Sequence, residues 1–336
     1  MKLICAPMAT LSHPAFRVLI EQFGCCDEYY TEMINAASLL NNGQFEKYYI
    51  DPSPVPEKIV WQLTGKSAEP MIKASRVVAE IGGIGVDLNM GCSAPDIYNS
   101  GAGIAWMLKP AEETLFLVKG VKDALNDYEK ETGIHRRLSV KLRLGDENFT
   151  DEGFFSFTDM LVENGVERLA LHPRTRKEKY RDAPRWKYAQ TLAERYGKSG
   201  VSVVVNGDIK DISSLKKVME ICPSCDGVMV GRMAVQKPWI FAELKRNILD
   251  GVSESEKQKI DLLKLALDFI DAVEKYQPPE FYKTRLQRFF TYFCMNLSFS
   301  HYAQTQLLNA KDNDDARKRI EEYFEKVPDD RYKFSI

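Results

Sequence analysis

Short, nearly continuous apolar runs alternate with longer stretches of helical periodicity through the first 240 residues. Eight such runs fall at 3–7, 28–33, 58–64, 85–89, 138–144, 166–172, 201–206 and 227–230. Segments such as LICAP, IVWQL, VDLNM, SVVVN and GVMV have few polar positions. That is the pattern of parallel strands buried on both faces. Helical periodicity fills the gaps, as at 71–81, 112–128, 152–164 and 212–221. Strand–helix alternation repeated eight times predicts a (β/α)8 TIM barrel, with a doubly wound open sheet as the alternative.

After Trp239 the strand signal stops, and 253–336 reads as helical. The pattern runs through KQKIDLLKLALDFIDAVEKY, breaks at Pro278-Pro279, and resumes in TRLQRFFTYFCMNL and DDARKRIEEYFEKV. Proline ends a helix, so the expectation is a barrel over 1–240 and a C-terminal bundle of three or four helices over 253–336. The 336 residues accommodate both units. With 44% hydrophobic and 28% charged residues, the chain is neither disordered nor fibrous.

Charge and cysteine usage narrow the picture further. The formal charge is −2, so any anionic partner must be met by a local basic patch. Seven scattered cysteines suit a reducing compartment better than a disulfide framework. The opening MKLICAPMATL has one lysine and a short apolar run, but no small-residue cleavage site. It reads as a buried first strand. No run reaches the roughly 18 apolar residues of a membrane span. The expected compartment is the cytoplasm, and a monomer is the simplest assembly.

Function in such a barrel gathers at the carboxyl ends of the strands. Those ends carry Pro7-Met8, Glu32, Gln62, Asn89 with Cys92, Lys141 with Arg143, His172 with Arg174, Asn206-Gly207-Asp208 and Gly231-Arg232. The last two follow the seventh and eighth strands, where barrels commonly bind phosphate. Glycine admits close backbone approach, and Arg232 supplies a forked donor. A lysine at the mouth, Lys141, needs an anion or an electron-rich ring. Flavin mononucleotide (FMN) suits that pattern; the cofactor-free alternative is a Lys141–Glu32 ion pair.

Cys92 ends the fourth strand in VDLNMGCSAP, with a glycine-containing segment, NSGAG, soon after. A thiol there can act as nucleophile, ligand or proton donor. Thiols are mostly protonated at neutral pH, so donation needs no special activation. Otherwise Cys92 is a small buried hydrophobe. Residues 174–187, RTRKEKYRDAPRWK, hold seven Lys and Arg against two acids, with Tyr180 and Trp186 interleaved. That composition suits a nucleic-acid backbone and an unstacked base, or else a solvated loop. A single CxxC at Cys222-Cys225 lacks a second pair, so no metal site is expected.

At this point the chain resembles a known family. LICAPMA around Pro7-Met8, TEM at 31–33, QLTG from Gln62, VDLNMGC ending at Cys92 and NSGAG from Asn99 follow its order and spacing. So do VKLRLG from Val140, HPRTR from His172, VVNGDI from Val204, and DGVMVGR with Pro238-Trp239. Together they resemble the tRNA-dihydrouridine synthases over residues 1 to about 240, with the tail resembling their tRNA-binding domain more loosely. The resemblance implies FMN-dependent reduction of a tRNA uridine, with NADPH as reductant. It assigns FMN binding to Pro7, Met8, Ala9, Gln62, Lys141, His172, Asn206, Gly207, Asp208, Gly231 and Arg232. Cys92 becomes the acid that protonates C5 of uracil while hydride reaches C6. Asn89, Arg174, Arg176 and Tyr180 become candidates for holding the flipped base, and Lys283, Arg285 and Arg288 for gripping the tRNA backbone.

Two departures stand out. The family usually has proline directly after the catalytic cysteine, where this chain has Ser93 and then Pro95. It also has Pro173 where glycine is common, which stiffens that strand end. Two other readings remain: an FMN barrel acting on a free small molecule, as dihydroorotate-type enzymes do, and a non-catalytic RNA-binding module.

Overall fold

The computed structural model describes residues 1–146, 148–178, 181–249 and 258–335. Eight parallel strands close into a barrel: β1 (Lys2–Cys5), β2 (Glu28–Tyr30), β4 (Ile59–Thr64), β5 (Gly85–Met90), β6 (Arg137–Leu142), β7 (Arg168–Leu171), β8 (Ser202–Asn206) and β9 (Gly227–Val230). Each strand pairs with the next, and β1 pairs with β9 to complete the ring. The fold is the TIM barrel that the alternation predicts, with all eight expected strands present. A two-residue β3 (Ile34–Asn35) adds to the edge of β4.

Period-two geometry sorts the strand residues into two sets. Leu3, Cys5, Ile59, Trp61, Leu63, Val86, Leu88, Leu138 and Val140 face outward and pack with the surrounding helices in the main core. Ile4, Ala6, Tyr30, Val60, Ala170, Val204 and Met229 form a separate cluster inside the barrel. The same parity turns Gln62, Asp87, Asn89, Ser139, Lys141, His172 and Asn206 inward. Residues that look interspersed in sequence therefore share one interior.

The helices between strands begin on local signals. Thr150 caps α7 (Asp151–Glu163) by accepting from the Gly153 N–H, and Asp211 with Ser214 forms a capping box on α9 (Ile212–Ile221). Helices α4 (Ala68–Ile81), α6 (Ala111–Thr132) and α8 (Lys187–Tyr196) complete much of the outer ring, and α1 (Pro14–Glu21) covers β1. Two short helices, α2 (Ala36–Leu40) and α3 (Glu46–Tyr49), lead from β3 toward β4, and α5 (Pro95–Asn99) follows Cys92. After β9 come α10 (Arg232–Gln236) and α11 (Ile240–Leu249).

The C-terminal region holds α12 (Leu262–Tyr276), α13 (Pro279–Phe293), α14 (Ser300–Leu308) and α15 (Asn313–Lys326). Pro279 opens α13 rather than merely ending α12, because its missing N–H has no role in the first turn. Phe269 of α12 stacks on Phe289 of α13 at 3.7 Å and lies 6.1 Å from the His13 ring, joining the bundle to α1. One expectation is corrected here. The segment 259–261, read as helical, is a strand, β10 (Lys259–Asp261), paired antiparallel with β11 (Tyr332–Phe334). Among the described residues, no helix is long and apolar enough to cross a membrane.

Candidate active site

The two ends of the barrel interior differ in chemistry. At the amino-terminal end, buried Glu28 meets Arg168 at 2.5 Å, Arg137 at 2.7 Å and Lys2 at 2.8 Å. Burial alone would raise its pKa, but these three cations pull it down to about 2. Above this plug sits the apolar interior cluster. Above that, at the carboxyl ends of the strands, lie the residues singled out from sequence.

A directed hydrogen-bond chain crosses the mouth. Ser139 Oγ donates to Asp87 at 2.7 Å, and Gln62 Nε2 donates to the same carboxylate at 2.7 Å. A carboxylate only accepts, so it fixes which end of the Gln62 amide faces it. Gln62 Oε1 is then free to accept from Asn89 Nδ2 at 2.8 Å. Asn89 Oδ1 in turn accepts the backbone N–H groups of Cys92, at 2.9 Å, and Gly91, at 3.2 Å. Cys92 is also held by its carbonyl, which accepts from Ile104 N–H at 3.0 Å. Gly103 makes that approach possible: with φ +62, its absent Cβ would lie 2.5 Å from the Cys92 oxygen. Pro95 opens α5 three residues after Cys92, which is the path the chain takes without a proline at position 93.

Asp87 is a site residue that the sequence reading did not single out. Burial raises its pKa to about 6, against the pull of Gln62, Ser139 and Lys141. Its alternation with Asn89 in VDLNM was the available signal. Lys141 stands in register with Asn89. Desolvation and nearby Arg143 lower its pKa to about 8, opposed by Asp87 and Cys92. Among the described residues no hydrogen bond or ion pair holds its ammonium group. The Lys141–Glu32 pair does not form, because Glu32 is bound by Arg285 at 2.6 Å.

Around Lys141 the mouth is electropositive. Arg143 donates to the Gly91 carbonyl at 3.1 Å and to the Thr175 carbonyl at 3.2 Å. His172 is buried, and burial plus Lys141, Arg143, Arg174 and Arg232 hold its pKa far below the usual histidine range. Its ring is neutral at physiological pH. Arg174 Nη1 lies 3.0 Å from His172 Nε2. A guanidinium can only donate, so Nε2 accepts and the ring proton sits on Nδ1.

Asp208, at φ +55, receives Arg174 at 2.6 Å and Arg232 at 3.5 Å. Next to it Gly207 has φ +114, and a Cβ there would lie 2.8 Å from the His172 ring. Gly231 faces Ala6 and Met8, with its absent Cβ 3.6 Å and 3.7 Å from them. Asn206 spans the gap by donating to the Met229 carbonyl at 2.7 Å. Pro7 is half-buried and Ala9 exposed at the end of β1. The mouth thus combines cations, bare backbone and a thiol. That set can hold an anion, stabilise negative charge on a ring and deliver a proton.

The expected base-holding set is less uniform. Asn89 lies at the mouth, but Arg174 is only 1% exposed. Its guanidinium is committed to Asp208, His172 and the Asp182 carbonyl. It braces the strand end, which corrects its expected place beside a base. Arg176 contacts Asp146 at 2.8 Å and lies 4.2 Å from the Tyr98 ring, and Tyr98 donates to the same carboxylate at 3.2 Å. This links the loop after β7 to the helix that follows Cys92. Tyr180 lies outside the described residues. The basic stretch is also less open than its composition implies. Arg185 pairs with Glu178 and lies over Phe149, and Trp186 donates to the Gly207 carbonyl. Lys177, Arg181 and Lys187 remain exposed. In the tail Lys283 and Arg288 are exposed, whereas Arg285 is buried.

Comparison with known proteins places this geometry. The family model described as "Dihydrouridine synthase (Dus)" matches residues 4–326. The chain is similar to "Probable tRNA-dihydrouridine synthase" of Aquifex aeolicus, 32% identical over 329 residues, which span 96% of this chain and 95% of that protein. It is 27% identical over 335 residues to "Probable tRNA-dihydrouridine synthase 2" of Bacillus subtilis, spanning 97% and 95% of the two chains. Among solved structures, "Morphinone reductase" superposes with TM-score 0.51 at 13% identity, over 73% of this chain and 86% of that one. That last likeness is one of fold.

Proposed function

Because the chain belongs to the dihydrouridine synthase family, we propose that it reduces the C5–C6 double bond of a tRNA uridine to 5,6-dihydrouridine, with FMN as cofactor and NADPH as reductant. The observation that carries this reading is the unpartnered Lys141 ammonium, set beside the Asn89–Cys92 turn in an otherwise cationic mouth. An unpaired cation at a half-buried position is unfavourable until an electron-rich group meets it.

The residues present fit the cofactor. Gly207 lets the His172 ring pack directly on its backbone, Gly231 leaves bare backbone beside Ala6 and Met8, and Arg232 is exposed enough to reach an anion. Pro7, Met8, Ala9, Gln62, Lys141, His172, Asn206, Gly207, Asp208, Gly231 and Arg232 would hold FMN. When bound and reduced, FMN supplies the hydride for C6 of uracil, with NADPH as the source of its electrons. Lys141, with a pKa near 8, is largely protonated at neutral pH and stabilises negative charge on the ring it meets. Neutral His172 carries its ring proton on Nδ1.

Cys92 gives its thiol proton to C5 and is left as thiolate, to be reprotonated from water. The Ser139–Asp87–Gln62–Asn89 chain holds the Cys92 backbone from which that thiol projects. Arg176, on the loop that packs against the helix following Cys92, would meet the base once it has left its stack, with Asn89 beneath it holding the Cys92 turn. Exposed Lys177, Arg181, Lys187, Lys283 and Arg288 would meet the tRNA backbone. In this reading 1–240 is the catalytic unit and 253–336 the tRNA-binding unit of a cytoplasmic monomer.

The test is a visible spectrum of the purified protein, followed by NADPH with and without unmodified tRNA. The proposal expects flavin bands, reoxidation that quickens with tRNA, and dihydrouridine in the product. Flavin indifferent to tRNA would support the small-molecule reading, and absence of flavin the non-catalytic module.

A further inference from the structure

Arg285 lies on α13, 253 residues away from Glu32 in the chain, yet the two form a buried ion pair at 2.6 Å, with side chains 2% and 5% exposed. The same oxygen, Glu32 Oε1, also accepts the backbone N–H of Thr10. Thr10 has φ +64, the left-handed region that a β-branched residue rarely adopts. Such a conformation persists only where the surroundings impose it. The rest of the turn is tied down locally: Met8 N–H donates to Ser12 Oγ at 2.9 Å, and Ser12 Oγ donates to the Ala6 carbonyl at 2.9 Å. Within the turn the Leu11 N–H donates to the Met8 carbonyl at 3.1 Å and Thr10 Oγ1 donates to the Ala9 carbonyl at 2.6 Å; Glu32 adds a restraint on the Thr10 N–H from outside the turn.

Glu32 is in turn held from the tail. Among the described residues its second oxygen, Oε2, has no hydrogen-bond partner, and neither has Arg285 Nε. Burial pushes the Glu32 pKa up, and Arg285 is the largest influence keeping it ionised, with Arg17 contributing less. His13, buried beside the pair, is held neutral by burial and by Arg285 and Arg17, so it adds no opposing charge. The Arg285 guanidinium is itself enclosed, 5.0 Å from the Phe281 ring centre and 5.8 Å from that of Tyr49.

We propose that Arg285 is a positioning residue which, through Glu32, helps hold the strained Thr10 turn, so that seating of the helical tail and binding of FMN at Pro7, Met8 and Ala9 are energetically coupled. This rests on the flavin reading above. Its consequence is reciprocal, as any coupling between two sites must be: whatever shifts α13 on the barrel shifts FMN affinity, and bound FMN steadies α13.

The experiment follows FMN release from the purified full-length protein on serial dilution, read by flavin fluorescence. Wild type, Arg285→Met, Thr10→Gly and the double variant are compared. Arg285→Met is expected to weaken FMN binding at least tenfold. Glycine accepts φ +64 without strain, so in the Thr10→Gly background the same substitution should cost less than threefold. A merely structural role would lower thermal stability equally in both backgrounds and leave the two FMN penalties alike. If Arg285→Met does not fold, Arg285→Lys carries the same cycle, with a threefold or larger loss expected only when Thr10 is present. Equal FMN affinity in wild type and the Arg285 variant, or an undiminished penalty in the Thr10→Gly background, overturns the coupling while leaving the flavin reading intact. A wild-type protein that holds no FMN overturns both.

Discussion

The barrel interior ends in two ionic clusters, and they are built on opposite principles. At the amino-terminal end Glu28 is surrounded by Arg137, Arg168 and Lys2 at 2.5–2.8 Å. Its oxygens are saturated, and nothing there invites a ligand. At the carboxyl end Lys141 has no hydrogen bond or ion pair among the described residues, and its lowered pKa records an unfavourable site for a charge. The first cluster is complete within the protein; the second is completed by something outside it. Buried charge therefore does not of itself mark a functional site. The mark is charge whose compensation is missing.

The largest expected effect tests the mouth alone. Cys92→Ala should keep FMN and NADPH oxidation while lowering uridine reduction about 10²–10⁴-fold, the range of a general acid. Thermal unfolding should scarcely change. Turnover on tRNA at the wild-type rate would remove Cys92 from the mechanism.

Next comes the opposite end. Glu28→Gln leaves buried Arg168 and half-buried Arg137 without a counter-charge and should destabilise the fold by about 3–5 kcal/mol. The flavin spectrum of the folded fraction should be unaltered. Denaturant unfolding checks the first claim, and a shifted spectrum would mean that the two ends are not independent.

Smaller effects come from pH. Glu28 has its folded pKa depressed to about 2, so its contribution is present above the unfolded value and lost as pH falls from about 4 toward 2. Asp87 has its folded pKa raised to about 6. Its proton is held more tightly in the folded state, so its contribution is full below about pH 4 and is lost as pH rises toward 6. Each amounts to at most about 3 kcal/mol. Stability should thus rise with pH through the first window and fall through the second. Asp87→Asn should abolish the fall alone; an unchanged fall would place its origin elsewhere.

Much of this was legible in sequence, for a physical reason. Parallel barrel strands are apolar on both faces, so each stands out as a run, and period two places every strand-end polar residue inside. Cys92, Lys141, Gln62 and the Gly207 and Gly231 turns were found in that way. Asp87 was overlooked because a buried carboxylate inside VDLNM carries no motif, although it shares the inward parity of Asn89. The β10–β11 pairing joins segments some 70 residues apart, and three-residue strands show no periodicity of their own. Arg174 and Arg285 read as surface cations because sequence reports charge and not burial. Their partners, Asp208 and Glu32, are distant in the chain and close only in the fold.

The most direct test of the central claim, that the mouth's uncompensated cation serves a ligand and not the fold, is thermal unfolding of Lys141→Met beside wild type, each with and without added FMN. The account predicts that without FMN the variant melts at or above the wild-type temperature, since an unfavourable half-buried charge has been removed. It also predicts that the FMN-induced rise seen in wild type is largely lost. A variant that is less stable without FMN, yet gains as much from it as wild type does, would contradict the claim.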